Sequence, residues 1–336
     1  MVHTVCVCVN NDMMAPIMAV LKKKLEGSLS PVVCGDDVSC FEAVKHHNDG
    51  IVMIVMGRGA HAAIKDLCDD YNENVRRVKL IYSMSSGVDA YQLPKLKQEL
   101  AGIPFCNAQG CYSNILAEHV VFSMLYFNRS PWRLNASKRE KKWDQFSTIE
   151  IQKQKVVIIG YGDIGQACGE KAAALGMQVT GIRRSGADKV DKFGVLVRGN
   201  DVLHESIRVA DFVVGVLPST EETTHFFNAD LFAKMKPTAV FINIGRGRTQ
   251  CDADVFEALH HGTIRAAALD VFEVEPLPKD SPLWDLPDSK LLLTAHSANL
   301  KDDTIECSLG AFMKIFGELR AHSRVSAYTV SVEKGY

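Results

Sequence analysis

The stretch Lys155-Val-Val-Ile-Ile-Gly160-Tyr-Gly162-Asp163-Ile164-Gly165 restricts the possible folds more than any other part of the chain. Val156 to Ile159 form an unbroken apolar run, the signature of a parallel strand buried on both faces. Gly160, Gly162 and Gly165 then give the G-x-G-x-x-G spacing. The first glycine allows a tight turn, the second lets backbone amides approach a pyrophosphate, and the third lets the next helix pack on the strand. The stretch ends in the first turn of that helix, whose pattern continues over Gln166–Leu175; its positive N-terminus points at the phosphates, with Asp163 and Ile164 in the turn. A glycine turn alone is a weak signal; strand before and helix after make it a dinucleotide-binding one.

This Rossmann pattern calls for an acidic residue about 20 positions further on, where it would bond a ribose 2′-hydroxyl. Here the second strand, Met177–Ile182, ends in Arg183-Arg184-Ser185. Two guanidiniums attract a 2′-phosphate that a carboxylate would repel, so the chain is expected to prefer NADP(H), with NAD(H) possible. A merely solvated basic strand end is the competing reading.

The rest of the chain repeats strand and helix. Thr4–Val9, Pro31–Cys34, Ile51–Met56, Val78–Ser83 and Ile103–Cys106 read as strands, with helical patterns between them, for example Met14–Leu25 and Phe41–His47. After the glycine loop, Phe212–Val216, Ala239–Ile244, Ala267–Val271 and Leu291–Ala295 continue the series. Such βα units imply parallel sheets with helices on both faces. At 336 residues, two domains are expected. A long apolar helix near Asn114–Arg129 carries the crossover, and a helix around Thr304–Leu319 is left over to return to the first domain. The expected division is 1–108 plus 299–336 as the substrate domain and 109–298 as the dinucleotide-binding domain. Between Trp132 and Gln145 runs a charged arm (Lys138, Arg139, Lys141, Lys142) with Trp132 and Trp143, read as packing on a partner subunit.

A net charge of −2 gives no electrostatic reason to expect nucleic acid or a membrane surface. No apolar run approaches the ~20 residues of a membrane span. The first residues lack the pattern of a secretory leader, and Glu333-Lys-Gly-Tyr336 is not a retention or peroxisomal tail. Ten cysteines suit a reducing compartment, so a cytoplasmic location is expected. Cys6 and Cys8 alternate with valines in a core strand, which disfavours metal binding. Cys168 reads as packing, and His46-His47 and His260-His261 as solvated helix ends.

Several ordered motifs then carry a resemblance. These are Tyr161–Gly165, Leu217-Pro218-Ser-Thr-Glu-Glu-Thr-Thr224, Ile242-Asn-Ile244-Gly245-Arg246-Gly247, Ala268-Leu-Asp270-Val-Phe-Glu-Val-Glu275-Pro-Leu-Pro278 and Leu293-Thr-Ala-His296. Together they resemble the D-isomer-specific 2-hydroxyacid dehydrogenases. Ser281-Pro-Leu-Trp284 and the closing Gly335-Tyr336 are similar to the glyoxylate/hydroxypyruvate reductases within that family. The resemblance is strongest over 155–297, fainter over 76–130 and weakest over the first 70 residues. It implies two doubly wound parallel-sheet domains, one flavodoxin-like and one Rossmann, around a cleft, and a homodimer. It also implies that Leu217, Pro218, Ile244 and Gly245 line the cofactor and that Asp270 lies near the nicotinamide.

The chemistry follows residue by residue. Hydride transfer to a 2-keto acid leaves an alkoxide, so an acid must deliver a proton. His296, at a strand end, is the expected proton donor. Glu275 would bond its other ring nitrogen, fixing the tautomer and favouring imidazolium. Arg246 would hold the keto oxygen and the carboxylate. All three fall at or just past carboxyl ends of strands, where open α/β sheets bind ligands. A structural histidine and a helix-start arginine are the bland alternatives. In Ser83-Met-Ser-Ser86-Gly87-Val-Asp89, the amides of Ser86 and Gly87 would hold the substrate carboxylate, with Arg58 as a further contact. A simple tight turn competes with the first of these. Ala295, Ser297-Ala-Asn299 and Gly245 depart from the family's usual residues; they bear on substrate choice, not on reaction type.

The expected activity is NADPH-dependent reduction of glyoxylate or hydroxypyruvate. Formate oxidation on the same fold needs no proton relay, so the Glu275/His296 pair argues against it. A non-catalytic dinucleotide-sensing protein of corepressor type is the alternative from another class; the complete Arg/Glu/His set favours the enzyme.

Overall fold

The computed structural model describes residues 3–28, 30–46, 50–57, 59–69, 77–184, 188–326 and 328–336. The chain forms two compact units, 1–112 with 301–336, and 113–300. These limits lie within a few residues of the sequence-based 108/109 and 298/299.

The first unit begins with β1 (His3–Cys8), α1 (Asn11–Lys24), β2 (Val32–Gly35), β3 (Gly50–Val55), α2 (Ala60–Leu67), β4 (Val78–Ser83) and β5 (Phe105–Asn107). All pairings are parallel, in the order β2-β1-β3-β4-β5, a doubly wound flavodoxin-like order. Every residue of β1 is buried, as expected for a central strand covered on both faces. Cys6 and Cys8 lie in it as free thiols, and burial pushes them up to about 12 and about 11. Phe41–His47, expected as an α-helix, is part of a 3₁₀ stretch over Val38–His46, and His47 lies outside the described residues.

The second unit opens with α3 (Ser113–Arg129) and α4 (Pro131–Arg139). It then runs through β6 (Lys155–Ile159), α5 (Asp163–Ala174), β7 (Gln178–Ile182), β8 (Lys189–Val190), β9 (Leu196–Arg198) and α6 (Leu203–Arg208). It closes with β10 (Phe212–Gly215), α7 (Ala229–Phe232), β11 (Val240–Asn243), α8 (Asp252–His260), β12 (Ala266–Leu269) and β13 (Leu291–Leu293). Its sheet has the order β13-β12-β11-β10-β6-β7-β9-β8, parallel except for the β8–β9 edge pair. Helix α3 packs on α5, burying Leu116, Ala117, Val120, Met124 and Phe127. Part of the expected charged arm is helical: α4 starts at Pro131, whose fixed φ suits a first helical turn. Trp143 beyond it is 90 % exposed.

The chain then returns to the first unit with α9 (Thr304–His322). Leu309, Phe312, Phe316 and Leu319 line its buried stripe at helical spacing. The Tyr82 hydroxyl donates to the Ser308 carbonyl at 2.7 Å, and the Val330 amide to the Phe105 carbonyl at 2.8 Å, fixing the returning segment to β4 and β5.

Register sets the position of the chemistry. Ile182, Ile159, Gly215, Asn243, Leu269 and Leu293 pair in one continuous row across the second sheet. Each is the last residue of its strand, so the loops after β7, β6, β10, β11, β12 and β13 all leave at one level. Gly160, Leu217, Arg246, Asp270 and His296 therefore share one sheet edge, the carboxyl edge at which such sheets bind ligands. No described helix is long and apolar enough to cross a membrane.

Candidate active site

The three glycines after β6 are required for different reasons. Gly160 has φ +97°, and a Cβ there would lie 2.4 Å from the Val216 carbonyl oxygen, on the neighbouring β10 loop. A Cβ on Gly165 would lie 2.5 Å from the Gly160 oxygen, so α5 could not pack down on the turn. Gly162 faces open space: a Cβ would meet nothing within 4 Å. A pyrophosphate approaching the first amides of α5 needs that clearance, and the loop fits a dinucleotide. Asp163 begins α5, and its carboxylate accepts from the Ser113 hydroxyl; Ile164 follows it in the first turn.

The residue between the glycines is structural. Tyr161 is buried against Gly169 and Gly181, where any side chain would strike its ring or hydroxyl. Its hydroxyl donates to Asp191 Oδ2 at 2.7 Å, and the same carboxylate accepts the Phe193 and Val195 amides. Arg183 Nε donates to the Tyr161 carbonyl at 2.6 Å, which holds that exposed side chain against the glycine loop. Arg184 is exposed and pairs with Glu222 at 2.7 Å. Ser185 lies outside the described residues. Leu217, Pro218, Ile244 and Gly245 lie in the loops after β10 and β11. A Cβ on Gly245 would lie 2.8 Å from the Leu217 oxygen, which pins those two loops together.

His296 Nδ1 and Glu275 Oε2 are 2.7 Å apart. The bonded carboxylate raises the His296 pKa above the ordinary imidazole value; burial and the Arg246 charge oppose this, and Asp270 adds to it. Burial acts to raise the Glu275 pKa, but the bonds from His296 and the Phe272 amide, with the charges of His296 and Arg246, lower it on balance. Arg246 thus lies close enough to act electrostatically on both members of the pair. It is half-buried, with Nη1 donating to the Gly245 carbonyl at 2.8 Å.

His296 has φ 50°, a left-handed conformation uncommon outside glycine. Asp270 supports it. The Asp270 carbonyl accepts the His296 amide at 2.8 Å. Its buried carboxylate accepts from Thr294 Oγ1 at 2.6 Å, the Ser297 amide at 2.9 Å and the Ala298 amide at 3.2 Å. Asp270, expected beside the nicotinamide, is therefore engaged with the turn that presents His296.

A buried polar set beneath Arg246 and Glu275 escaped the sequence reading. Asn243 and Gln250 are fully buried, and Gln250 Oε1 accepts from Asn243 Nδ2 at 2.8 Å. Gln250 Nε2 donates to Asp252 Oδ1 at 2.7 Å and to the Val271 carbonyl at 3.2 Å. Asp252 and Glu273 each accept the other's backbone amide, at 3.1 and 2.7 Å. Burial raises the Asp252 pKa; bonds from Gln250 and the Glu273 amide oppose it, and the charges of Glu273 and Glu275 reinforce it. Asn243 alone carried a sequence signal, as a polar residue closing an apolar run. Also unforeseen is an open pocket of about 300 Å³ lined by residues including His119, Phe122, Ser297 and Leu300.

In the first unit, Ser86 and Gly87 follow β4 in a turn fastened by Asn107 Nδ2, which donates to the Ser86 carbonyl at 2.6 Å. The Met84 amide bonds the Val55 carbonyl at 3.0 Å, tying this turn to β3. Arg58 lies outside the described residues.

Residues 121–298, just over half of the chain, match the D-isomer specific 2-hydroxyacid dehydrogenase NAD binding domain. A glyoxylate/hydroxypyruvate reductase B of Pectobacterium atrosepticum is 33 % identical over 226 residues, spanning 65 % of this chain and 69 % of that protein. A probable 2-ketogluconate reductase of Dictyostelium discoideum is 28 % identical over 312 residues, 89 % of this chain and 88 % of that one. Among solved structures, an NADPH-dependent glyoxylate/hydroxypyruvate reductase of Sinorhizobium meliloti, in complex with NADP and sulfate, is 26 % identical, with a TM-score of 0.79 over 100 % of both chains. The glycine loop, the shared sheet edge and these likenesses converge: the chain belongs to the D-isomer specific 2-hydroxyacid dehydrogenases.

Proposed function

We propose that the protein reduces a small 2-keto acid, of glyoxylate or hydroxypyruvate type, to the 2-hydroxy acid with NADPH. The observation that carries this reading is the grouping of Arg246 with the hydrogen-bonded His296–Glu275 pair at the sheet edge that holds the glycine loop. When bound, the reduced dinucleotide supplies hydride to C2 of the substrate. Arg246 anchors the carboxylate and polarises the keto oxygen. Glu275 holds His296 by Nδ1, so the proton leaves from Nε2 to the developing alkoxide. Arg183 and Arg184 receive the 2′-phosphate, and the amides of Ser86 and Gly87, with Arg58, contribute to the substrate carboxylate site. NAD(H) serves as the weaker cofactor. The ten free cysteines support a cytoplasmic setting, and the family likeness supports a homodimer.

The test is steady-state reduction of glyoxylate, hydroxypyruvate, pyruvate and 2-ketogluconate with NADPH and with NADH. The expected result is turnover of the smaller acids with a higher kcat/KM for NADPH, and a much greater loss with NADPH than with NADH in Arg183→Asp. Tight NADPH binding without turnover of any keto acid overturns the enzymatic reading in favour of a dinucleotide sensor. A preference for NADH overturns the cofactor assignment.

A further inference from the structure

We propose that Gln250 is a positioning residue, which fixes the spacing between the Arg246 guanidinium and the Glu275–His296 pair by bridging the two loops that carry them. The inference rests on the catalytic reading above and concerns a residue that touches neither substrate nor cofactor.

The two loops leave adjacent strands, β11 and β12, whose paired ends are Asn243 and Leu269. On the β11 side, Asn243 Oδ1 accepts the Gly245 amide at 3.0 Å, and Thr249 Oγ1 donates to the Arg246 carbonyl at 2.6 Å. These bonds fix the backbone on both sides of Arg246. On the β12 side, Glu275 Oε1 accepts the Phe272 amide at 3.0 Å, and Glu273 is clasped to Asp252. The Gln250 carboxamide connects the two halves: on the β11 side its oxygen accepts from Asn243 and its nitrogen donates to Asp252, the first residue of α8, and the same nitrogen reaches across to the Val271 carbonyl of the β12 loop. All its donors and its acceptor are used, so the orientation of the amide is determined.

The reciprocal Asp252–Glu273 bonds and a backbone contact at Gly247 also join the two loops, but Gln250 alone ties Asn243, at the base of the Arg246 loop, to the Val271 carbonyl. Gly247 lies where a Cβ would fall 1.8 Å from the Phe272 carbonyl oxygen, so the loops touch through bare backbone. No side chain at 247 can prop them apart. With Gln250 fully buried, no water replaces it at the Asn243 amide and the Val271 carbonyl unless the loops open. An apolar side chain at 250 would strand the Val271 carbonyl and leave Asn243 Nδ2 only its longer contacts, both 3.4 Å, to the Arg246 carbonyl and Thr249 Oγ1, and the loops would shift to satisfy them. That shift separates Arg246 from His296 without removing either. Since a misplacement of about 1 Å at a reacting centre can cost on the order of a hundredfold, a modest opening is enough to be measured.

The experiment compares wild type, Gln250→Leu and Gln250→Glu as full-length proteins, with glyoxylate and NADPH across a pH series. Gln250→Leu is expected to raise KM for glyoxylate at least about tenfold and to lower kcat, with KM for NADPH within about twofold of wild type. Gln250→Glu is the conditional rescue. Protonated, its carboxyl accepts from Asn243 and has one proton, for the Val271 carbonyl or for Asp252, so the bridge is restored in part; ionised, it has none and sets a second negative charge against Asp252. Its kcat/KM relative to wild type should therefore be highest near about pH 5, above that of Gln250→Leu, and decline as the buried acid ionises. A residue that only filled space would change thermal stability but not this ratio. Gln250→Leu with KM for glyoxylate within about twofold of wild type, or a Gln250→Glu ratio flat with pH, overturns the proposal. Should Gln250→Leu fail to fold, Gln250→Glu carries the test alone. Wild-type turnover in the same assay separates the two readings: if it is absent, the catalytic reading fails and the positioning role with it; if it is present, a failure belongs to the Gln250 proposal alone.

Discussion

Asp270→Asn tests whether the carboxylate at the end of β12 serves the His296 turn or the cofactor. The substitution keeps shape and removes charge. Its best orientation places the amide oxygen at the Oδ1 position, which retains the three bonds from Thr294, Ser297 and Ala298. The amide nitrogen then points a donor at the Ala298 amide, where Oδ2 accepts at 3.2 Å. Bonds to a charged acceptor contribute about 1.5–3 kcal/mol and neutral ones about 0.5–1.5, so three retained bonds weaken by roughly 3 kcal/mol in all. Release from burying a charge offsets part of that, leaving a loss of about 2 kcal/mol. For a unit of this size, the melting temperature should fall by roughly 4–8 °C. The functional effect is larger, because the turn holds His296 at positive φ and relaxes once it is loosened. A drop in kcat on the order of a hundredfold is expected at saturating NADPH, with KM for NADPH little changed. Calorimetry and single-turnover reduction of glyoxylate measure the two effects. Unaltered melting and kcat, with NADPH affinity lost instead, would falsify the turn-holding role and return Asp270 to direct contact with the nicotinamide.

Two further substitutions address the proton and the phosphate. Because Glu275 raises the His296 pKa, reduction should hold below that raised value and decline as pH climbs through it, while oxidation of the hydroxy acid shows the reverse trend. Glu275→Gln should move the declining limb of kcat/KM to lower pH and reduce kcat by about 10²–10⁴-fold; an unmoved limb rejects His296 as the acid. Glu222→Gln removes the carboxylate paired with Arg184, and an exposed ion pair contributes about 0.2–1 kcal/mol. Efficiency with NADPH should rise up to about fivefold with NADH unaffected, and an equal change with both cofactors discards Arg184 as a 2′-phosphate ligand.

The strands were legible where burial on both faces forces continuous apolar runs, as in β1, β6 and β11. They were illegible where an element is short and at an edge. Strands β8 and β9 span Lys189–Val190 and Leu196–Arg198, too few residues for any period to register. Helix α2 is expected only as one of the helices between strands, without bounds, for a related reason: its eight residues are half alanine or lysine, and its buried face is only Ala60, Ala63, Ile64 and Leu67. The first turn of the cofactor helix reads within the stretch that ends at Gly165, and α5 begins at Asp163. Glycine at 165 lowers local helix propensity, but it is required there by contact with the Gly160 carbonyl.

The same division separates the reacting groups from their supports. Arg246 and His296 stand where apolar runs stop, and a polar residue at that place is conspicuous in one dimension. Gln250, Asp252 and Glu273 carry no such mark, because their partners come from register rather than from spacing. Asn243 meets Leu269, and Leu269 meets Leu293, only once three strands have aligned. That alignment brings the loop after β11 against the loop after β12, and a glutamine seven residues past Asn243 becomes a bridge. The chemistry can therefore stand in readable motifs while the contacts that support those motifs become visible only in the fold. In this chain the support is a buried amide held between an asparagine and an acidic pair, and substitutions there should alter geometry before they alter chemistry.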